Sequence, residues 1–218
     1  MNSVQLAIFF FTLSLNAFAS FPPTPTQNDL KDCEQGFKFK GKLINPRVIQ
    51  LFEGWESDSG VPIVTSADIS AAYGTNQFFD DDVKYGPKGA TYKESSSDNT
   101  SDPSTFGYEW IGRLQNGDQV VETTSGGGGG TLVEHTLLIL KCSMGKGWRP
   151  TGHGSDPSRL LESKAPSAES YSRLLLTVER YYIIGDRVAA DYSIHGNSLT
   201  VTFANQPKRV TKVIKVDD

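Results

Sequence analysis

LVEHTLLILKC, at residues 132–142, is the stretch of sequence that decides the fold. Its residues 137–140 are all apolar, and successive side chains of a strand point to opposite faces of a sheet. A strand that is apolar on both faces is typical of a sheet that is covered on both sides. The sequence therefore predicts a long central strand here, with a layer of structure against each face.

The chain on both sides of this strand has the pattern of an antiparallel β protein. Upstream, residues 108–114 and 119–124 flank Asn116-Gly117, a pair that tolerates the positive φ of hairpin turns. Downstream, residues 173–184 combine the spacing of a helix with strand-forming residue types. The turn residues Gly185-Asp186 that follow favour the strand.

Alternating segments then continue to the C-terminus. They lie at residues 188–194, 199–203 and 210–216, with a turn at 195–198. Consecutive strands joined by tight turns predict an antiparallel meander. We therefore expect an all-β fold, an antiparallel barrel or sandwich of about ten strands with one or two short helical turns.

The N-terminal half is less regular. Residues 20–31 are rich in Pro and Thr and predict an extended arm. Residues 37–43 alternate between apolar or glycine positions and lysines, which predicts a half-buried strand with a lysine face. Short apolar runs follow at 48–52 and 61–69, and residues 68–73 also fit one helical turn.

Two polar stretches, at residues 86–105 and 145–170, predict loop insertions. The second contains a candidate helical turn at 158–162. The length of the remaining chain suits a single β domain at residues 32–218 with a sizeable core.

Residues 1–19 resemble a signal peptide. An apolar core leads to Ala17-Phe18-Ala19, which places small residues at −3 and −1 of a cleavage point. Only the amino group of Met1 supplies positive charge before this core, so an uncleaved anchor or a buried strand is the alternative. No second long apolar run follows, and we therefore expect a secreted or periplasmic protein with no membrane span after leader cleavage.

The charge balance excludes one class of partner. The chain carries 25 acidic and 21 basic side chains, a formal net charge of −4. A nucleic-acid surface needs a basic excess, so no nucleic acid is expected as a partner.

The two cysteines, Cys33 and Cys142, predict a disulfide bond in an oxidising compartment. Their alternative is a pair of buried free thiols. The bridge would attach the N-terminal segment to the central strand.

Motifs for catalysis, metals or cofactors are weak. The glycine run 126–130 lacks the Lys-Ser/Thr of a phosphate loop and precedes a strand, which favours a flexible connector or a flap beside a cavity. His135 fits a sheet position and His195 a solvated turn, whereas His153 lies beside Ser155 and Asp156 without the spacing of a nucleophile elbow. We expect no cofactor and no metal, because the histidines show no ligand spacing and Asp80, Asp81, Asp82, Asp98 and Asp102 lack the alternation of a calcium loop.

Aromatic side chains are the better candidates for ligand contact. Flat aromatic faces at the end of a β domain commonly receive sugars or apolar ligands. Trp110 fits the core, and Tyr181 and Tyr182 must point to opposite faces. The candidate contacts are Trp55, Tyr108, Trp148 and Tyr182. Asn99 begins an Asn-Thr-Ser glycosylation triplet that matters in a eukaryotic source.

Three functions fit these features. The first is an exported β domain that binds a small apolar or carbohydrate ligand without catalysis. The second is a protein-interaction or inhibitor domain that uses edge strands and the 145–170 loop. The third is a secreted hydrolase that uses His153. Fold alone does not choose among them.

Overall fold

The computed structural model describes residues 24–53, 64–70, 83–93, 104–127, 132–148, 170–203 and 210–216. These residues are mostly strand, with two α-helices and one 3₁₀ turn, so the all-β prediction is confirmed. The helices are α1 Gln27–Gly36 and α2 Pro46–Gln50, and the 3₁₀ turn is Leu51–Glu53. The strands are β1 Lys38–Phe39, β2 Lys42–Leu43, β3 Ser66–Asp68, β4 Lys84–Tyr85, β5 Gly89–Lys93, β6 Thr105–Arg113, β7 Gln119–Gly126, β8 Val133–Trp148, β9 Ser170–Asp186, β10 Ala190–His195, β11 Ser198–Phe203 and β12 Val210–Lys215.

Seven of these strands form one curled antiparallel sheet, the central sheet, in the order β3-β9-β8-β7-β6-β5-β4. Within it, β8 lies between β7 and β9 and is covered on both faces. Leu138 and Leu140 belong to one buried cluster, and Leu137 and Ile139 belong to the other. The prediction of a central strand with a layer on each face is confirmed.

The N-terminal segment, residues 24–53, covers one face of the central sheet, which we call the helix-covered face. Its apolar side chains share a buried cluster with alternate residues of β5 to β9; the N-terminal members are Cys33, Phe37, Phe39, Ile44, Val48, Ile49 and Phe52. The predicted arm at 20–31 is wrong from Gln27 onward, because α1 begins there. Thr26 and Asp29 form a capping box, with the Thr26 backbone N–H donating to Asp29 Oδ2 at 2.7 Å.

The predicted strand at 37–43 is a hairpin of two short strands, β1 and β2. Lys40 and Gly41 adopt positive φ values of 51° and 77°, which turns the chain between them. The apolar run at 48–52 is helical, since the Asn45 side chain caps α2 by accepting from Arg47 N–H at 2.9 Å and Pro46 stands at its start.

The strands β10, β11 and β12 form a three-stranded antiparallel sheet against the other face of the central sheet. The C-terminal meander is therefore confirmed for these three strands. Gly196 and Asn197 form the two-residue turn between β10 and β11, with Gly196 at φ 63°. The predicted turn at Gly185-Asp186 is wrong: both residues pair with β8, and the chain leaves for the second sheet after Asp186.

A bulge explains why residues 173–184 show mixed spacing. Leu140 pairs with Val178 and Ile139 pairs with Arg180, so Glu179 is an extra residue in β9. The helix-covered face therefore receives Leu174, Leu176 and Val178 and then, after one extra residue, Tyr181. This three-residue step resembles helical spacing within a strand.

The two predicted insertions are shorter than expected. Residues 89–93 form β5, in which Ala90 and Tyr92 are each 2% exposed and pack against the core. Residues 145–148 continue β8 because they pair with the first residues of β9. The remaining parts of the insertions, 94–103 and 149–169, lie outside the described residues.

The hairpin predicted at Asn116-Gly117 is present between β6 and β7. Its loop spans residues 114–118, and only Gly117 has positive φ, at 98°. The Asn116 side chain accepts from Asp118 N–H at 3.1 Å, which holds the turn.

Cys33 of α1 and Cys142 of β8 form the predicted disulfide bond, with their Cα atoms 6.1 Å apart. It fastens the N-terminal segment to the central strand. In the described part of the chain, no helix has the length and apolar character needed to cross a membrane.

Candidate functional site

The helix-covered face changes from apolar to polar along β7 and β8. Val121 pairs with Leu138, Thr123 with Thr136 and Ser125 with Glu134. Side chains two residues apart on a strand share a face, so these three pairs form successive rows. The pair formed by Ser125 and Glu134 is the last of the three, next to Gly126 at the end of β7.

A cavity of about 250 Å³ lies at this polar end of the sheet. Phe106 is buried at its base, and Leu132, 58% exposed, stands at its rim. Backbone and polar side chains complete the wall. The lining residues are Gln50, Ser104, Thr105, Phe106, Ser125, Gly126, Gly127, Leu132 and Glu134.

Glu53 lies next to the cavity wall, at the end of the 3₁₀ turn. The Thr123 hydroxyl donates to Glu53 Oε1 at 2.5 Å. Burial raises the pKa of Glu53 from 4.5 to about 7; the charge of Glu134 also raises it, whereas hydrogen bonds from Thr123 and Ser125 oppose the shift. Two carboxyl groups thus stand close together, and one of them changes charge near neutral pH.

We expect Glu53 to make stability depend on pH. Its folded pKa of about 7 exceeds its ordinary 4.5, so the folded chain binds this proton more tightly than the unfolded chain. The stabilisation is fully present below pH 4.5 and is lost as the pH rises through 7. By linkage it amounts to up to about 3 kcal/mol. Glu53→Gln carries no titrating proton at this position. The difference in free energy of unfolding between this variant and the wild type, measured by urea unfolding, should therefore shift in favour of the variant by this amount as the pH is raised from acid to alkaline.

Glu179→Gln is the matched control for this experiment, because Glu179 is exposed on β9 and remote from the cavity lining. Its free energy of unfolding should follow the wild-type curve at every pH. Wild-type and Glu53→Gln curves that run parallel from about pH 4 to about pH 9 would show that Glu53 titrates normally.

Gln50 enters the cavity from the end of α2. The Tyr92 hydroxyl, from β5, donates to Gln50 Oε1. The guanidinium carbon of Arg47 lies 4.5 Å from the centroid of the Tyr92 ring, which is the geometry of a cation–π contact.

Two of the aromatic residues predicted to contact a ligand, Tyr108 and Tyr182, pack in different clusters on opposite faces of the central sheet. Tyr108 is 4% exposed, and its hydroxyl donates to the Ile44 carbonyl at 2.5 Å, so it belongs to the core. Tyr182 packs on the face of the central sheet that β10, β11 and β12 cover, with Lys212 Nζ 5.4 Å from its ring centroid. Trp148 is the last residue of β8, and Trp55 lies outside the described residues, as does Asn99.

The predictions for the other aromatic residues are confirmed. Tyr181 and Tyr182 pack against different clusters, on opposite faces of β9. Trp110 packs against the core, and its indole N–H donates to Gln119 Oε1 at 3.0 Å.

The described histidines are sheet and turn residues. His135 Nδ1 lies 3.0 Å from Glu122 Oε1 on neighbouring strands, and His195 is exposed at the end of β10. His153 and the candidate calcium ligands at 80–82, 98 and 102 lie outside the described residues. Within the described ranges, no three His, Cys, Asp or Glu side chains converge in a way that could hold a metal ion.

Sequence reasoning missed the residues that line the cavity. The available signal was the face shared by Val121, Thr123 and Ser125 on β7, which becomes polar towards the glycine run. The contribution of Gln50 and Glu53 had no such signal, because it depends on where the N-terminal segment crosses the sheet.

Comparison with protein-family models, with curated proteins and with solved structures finds no match for this chain. Its class therefore follows from the fold and the site alone. The chain is an all-β, disulfide-linked protein in which a curled seven-stranded antiparallel sheet has a small cavity at one end.

Proposed function

We propose that this protein is an exported β domain that binds a small carbohydrate-like ligand in the cavity at the polar end of its central sheet. The observation that carries the proposal is the lining of that cavity, which combines an apolar base at Phe106 with hydrogen-bonding groups from Gln50, Ser125 and Glu134. Binding pockets commonly combine apolar walls with a few placed polar groups.

The size and charge of the cavity narrow the ligand class. Pockets for drug-sized ligands span about 300–1,000 Å³, so a cavity of about 250 Å³ suits a smaller molecule such as one sugar ring. No Lys or Arg occurs among the described residues that line it, and Glu134 is acidic. An anionic ligand is therefore disfavoured, and a ligand with hydroxyl groups would give Gln50, Ser125 and Glu134 hydrogen-bond partners that a wholly apolar ligand lacks.

Export is part of the proposal. The leader-like residues 1–19 are typical of a secretory signal, and a disulfide bond is typical of oxidising compartments outside the cytosol. We therefore place the ligand in a secreted or periplasmic setting.

Ligand-observed NMR with the methyl glycosides of glucose, galactose and mannose tests the proposal. We expect at least one to bind. Glu134→Gln should weaken it about tenfold, because a charge-assisted hydrogen bond becomes a neutral one. Leu132→Ala should also weaken it, because the rim loses apolar contact.

Val213→Ala is the matched control for Leu132→Ala, since Val213 is 56% exposed and lies on β12 in the other sheet. It should bind as wild type does. If none of the three glycosides binds the folded wild-type protein, or if Leu132→Ala and Glu134→Gln bind as tightly as wild type, the proposed site is wrong.

A further inference from the structure

The carboxylate of Glu134, half-buried at the cavity wall, has no cationic partner among the described residues. Two buried carboxylates elsewhere in the fold are paired: Lys40 Nζ lies 2.7 Å from Asp29 Oδ2, and Arg173 Nε lies 3.5 Å from Asp68 Oδ2. Removing a charge from water without a partner costs free energy. The charge of Glu134 is therefore left for a group that enters the cavity to balance.

The charge of Glu134 acts instead on a second acid, Glu53. Burial, and then the charge of Glu134, raise the pKa of Glu53 to about 7. The Ser125 side chain hydrogen-bonds to Glu53 and also lines the cavity. A cation bound beside Ser125 would be attracted to both carboxyl groups, because each of them is negative when ionised.

No basic side chain of the described lining competes for this position. Arg47, the basic residue on the same helix as Gln50, lies outside the lining. Its guanidinium carbon is 4.5 Å from the centroid of the Tyr92 ring, where it makes a cation–π contact. The charge of the described lining is therefore negative.

An organic cation suits this wall better than a metal ion does. Calcium takes about six to eight oxygen ligands, and no three His, Cys, Asp or Glu side chains of the described chain converge to hold a metal ion. An ammonium group has only three N–H donors, and the Glu134 carboxylate and the Ser125 hydroxyl offer it acceptors. Phe106 at the base and Leu132 at the rim offer apolar contact to the carbon atoms of a ring.

We propose that Glu134, supported by Glu53, selects a sugar ring that carries an ammonium group over the neutral ring of the same sugar. This inference rests on the proposed function and adds the charge of the ligand to it. Glu134 pairs directly with the ammonium group. Glu53 lies behind Ser125 and adds the attraction of a second carboxyl group.

The test uses the tightest-binding methyl glycoside of the three above, together with its 2-amino and 6-amino counterparts. Ligand-observed NMR at a pH of about 6.5, where an amine keeps its proton, gives the three dissociation constants. We expect wild type to bind at least one amino form about tenfold more tightly than the neutral ring, because hydrogen bonds between charged groups are roughly twice as strong as neutral ones. Added salt should reduce this preference, since it screens charges.

Glu134→Gln is the decisive variant. It keeps the length of the side chain and one accepting oxygen but removes the charge. The amino ring should lose about tenfold more affinity than the neutral ring does, so that the two bind about equally. Glu53→Gln should reduce the preference by a smaller factor, because Glu53 acts from behind Ser125. A general loss of structure would weaken all three ligands together and would not abolish the preference among them.

Glu179→Gln is the matched control, because Glu179 is exposed on β9 and lies outside the described lining. It should keep the wild-type preference. If a neutral glycoside binds wild type and neither amino form binds more tightly, this inference is wrong and the proposed function stands. The inference is also wrong if Glu134→Gln keeps the wild-type preference. If no glycoside, neutral or amino, binds the folded wild type, both proposals are wrong.

Discussion

Breaking the Cys33–Cys142 disulfide should lower the free energy of unfolding by about 4–5 kcal/mol, a large part of the about 5–15 kcal/mol by which native proteins are typically stable. The two cysteines are 109 residues apart, so the bridge closes a long loop in the unfolded chain. In the chain-entropy model, the entropy removed from the unfolded state grows with the logarithm of loop length. The measurement is urea unfolding of the wild type with and without reductant.

The double variant Cys33→Ala/Cys142→Ala should match the reduced wild type and should not respond to reductant. Ile49→Val is a suitable control, because Ile49 is fully buried in the same cluster as the two cysteines and this variant keeps the disulfide bond. That variant should lose only about 0.5–1.5 kcal/mol and should remain sensitive to reductant. A loss below about 1 kcal/mol on reducing the wild type would contradict the loop-closure argument.

The bridge also bears on the candidate site, because it fastens the segment that carries Gln50 and Glu53. Side-chain contacts continue this attachment: Tyr108 donates to the Ile44 carbonyl, and Gln119 Nε2 donates to the Glu34 carbonyl at 2.8 Å. Thr123 then donates to Glu53 itself. The geometry of the cavity wall therefore depends on the packing of residues 24–53 against the central sheet.

The pattern of apolar and polar residues along single strands allowed much of the central sheet to be predicted. The doubly apolar run at 137–140 predicts a strand covered on both faces, and the structure places it between two clusters. Local patterns failed where a bulge or a cap decides the outcome. One extra residue at Glu179 disturbs the alternation of β9, and the Thr26–Asp29 capping box starts a helix within the predicted arm.

The candidate site could not be predicted for a different reason. Its groups come from α2, the 3₁₀ turn, β6, β7 and β8, which are distant in sequence. Which face of the sheet the N-terminal segment covers depends on long-range packing and on one disulfide. Aromatic residues are the natural candidates from sequence, yet Tyr108 satisfies its hydroxyl inside the core, and the cavity is lined by a mixture of polar, apolar and glycine residues with one aromatic side chain, Phe106.

Removing one partner of the buried Asp68–Arg173 ion pair should destabilise the fold by about 3–5 kcal/mol. Arg173 Nε lies 3.5 Å from Asp68 Oδ2, and the two side chains are only 5% and 1% exposed. Ser70 adds hydrogen bonds to Asp68 Oδ1 from its backbone N–H, at 2.9 Å, and from its hydroxyl. Arg173→Met leaves the Asp68 carboxylate buried without its guanidinium, and Asp68→Asn leaves the guanidinium buried without its carboxylate.

The double variant Arg173→Met/Asp68→Asn separates the cost of an uncompensated charge from the value of the pair. Because it buries no charge, it should lose less stability than Arg173→Met alone. The amide oxygen that the Asp68→Asn substitution introduces can still accept from Ser70. Urea unfolding of the wild type, both single variants and the double variant gives the coupling energy, for which we expect at least about 2 kcal/mol.

An exposed charge on β9 provides the control for these single and double variants. Arg180→Met on β9 removes a positive charge from an exposed position, and it should change the free energy of unfolding by no more than about 0.5 kcal/mol. A double variant less stable than either single variant would contradict the argument, since the ion pair itself would then stabilise the junction of β3 and β9 by more than the loss of one partner costs.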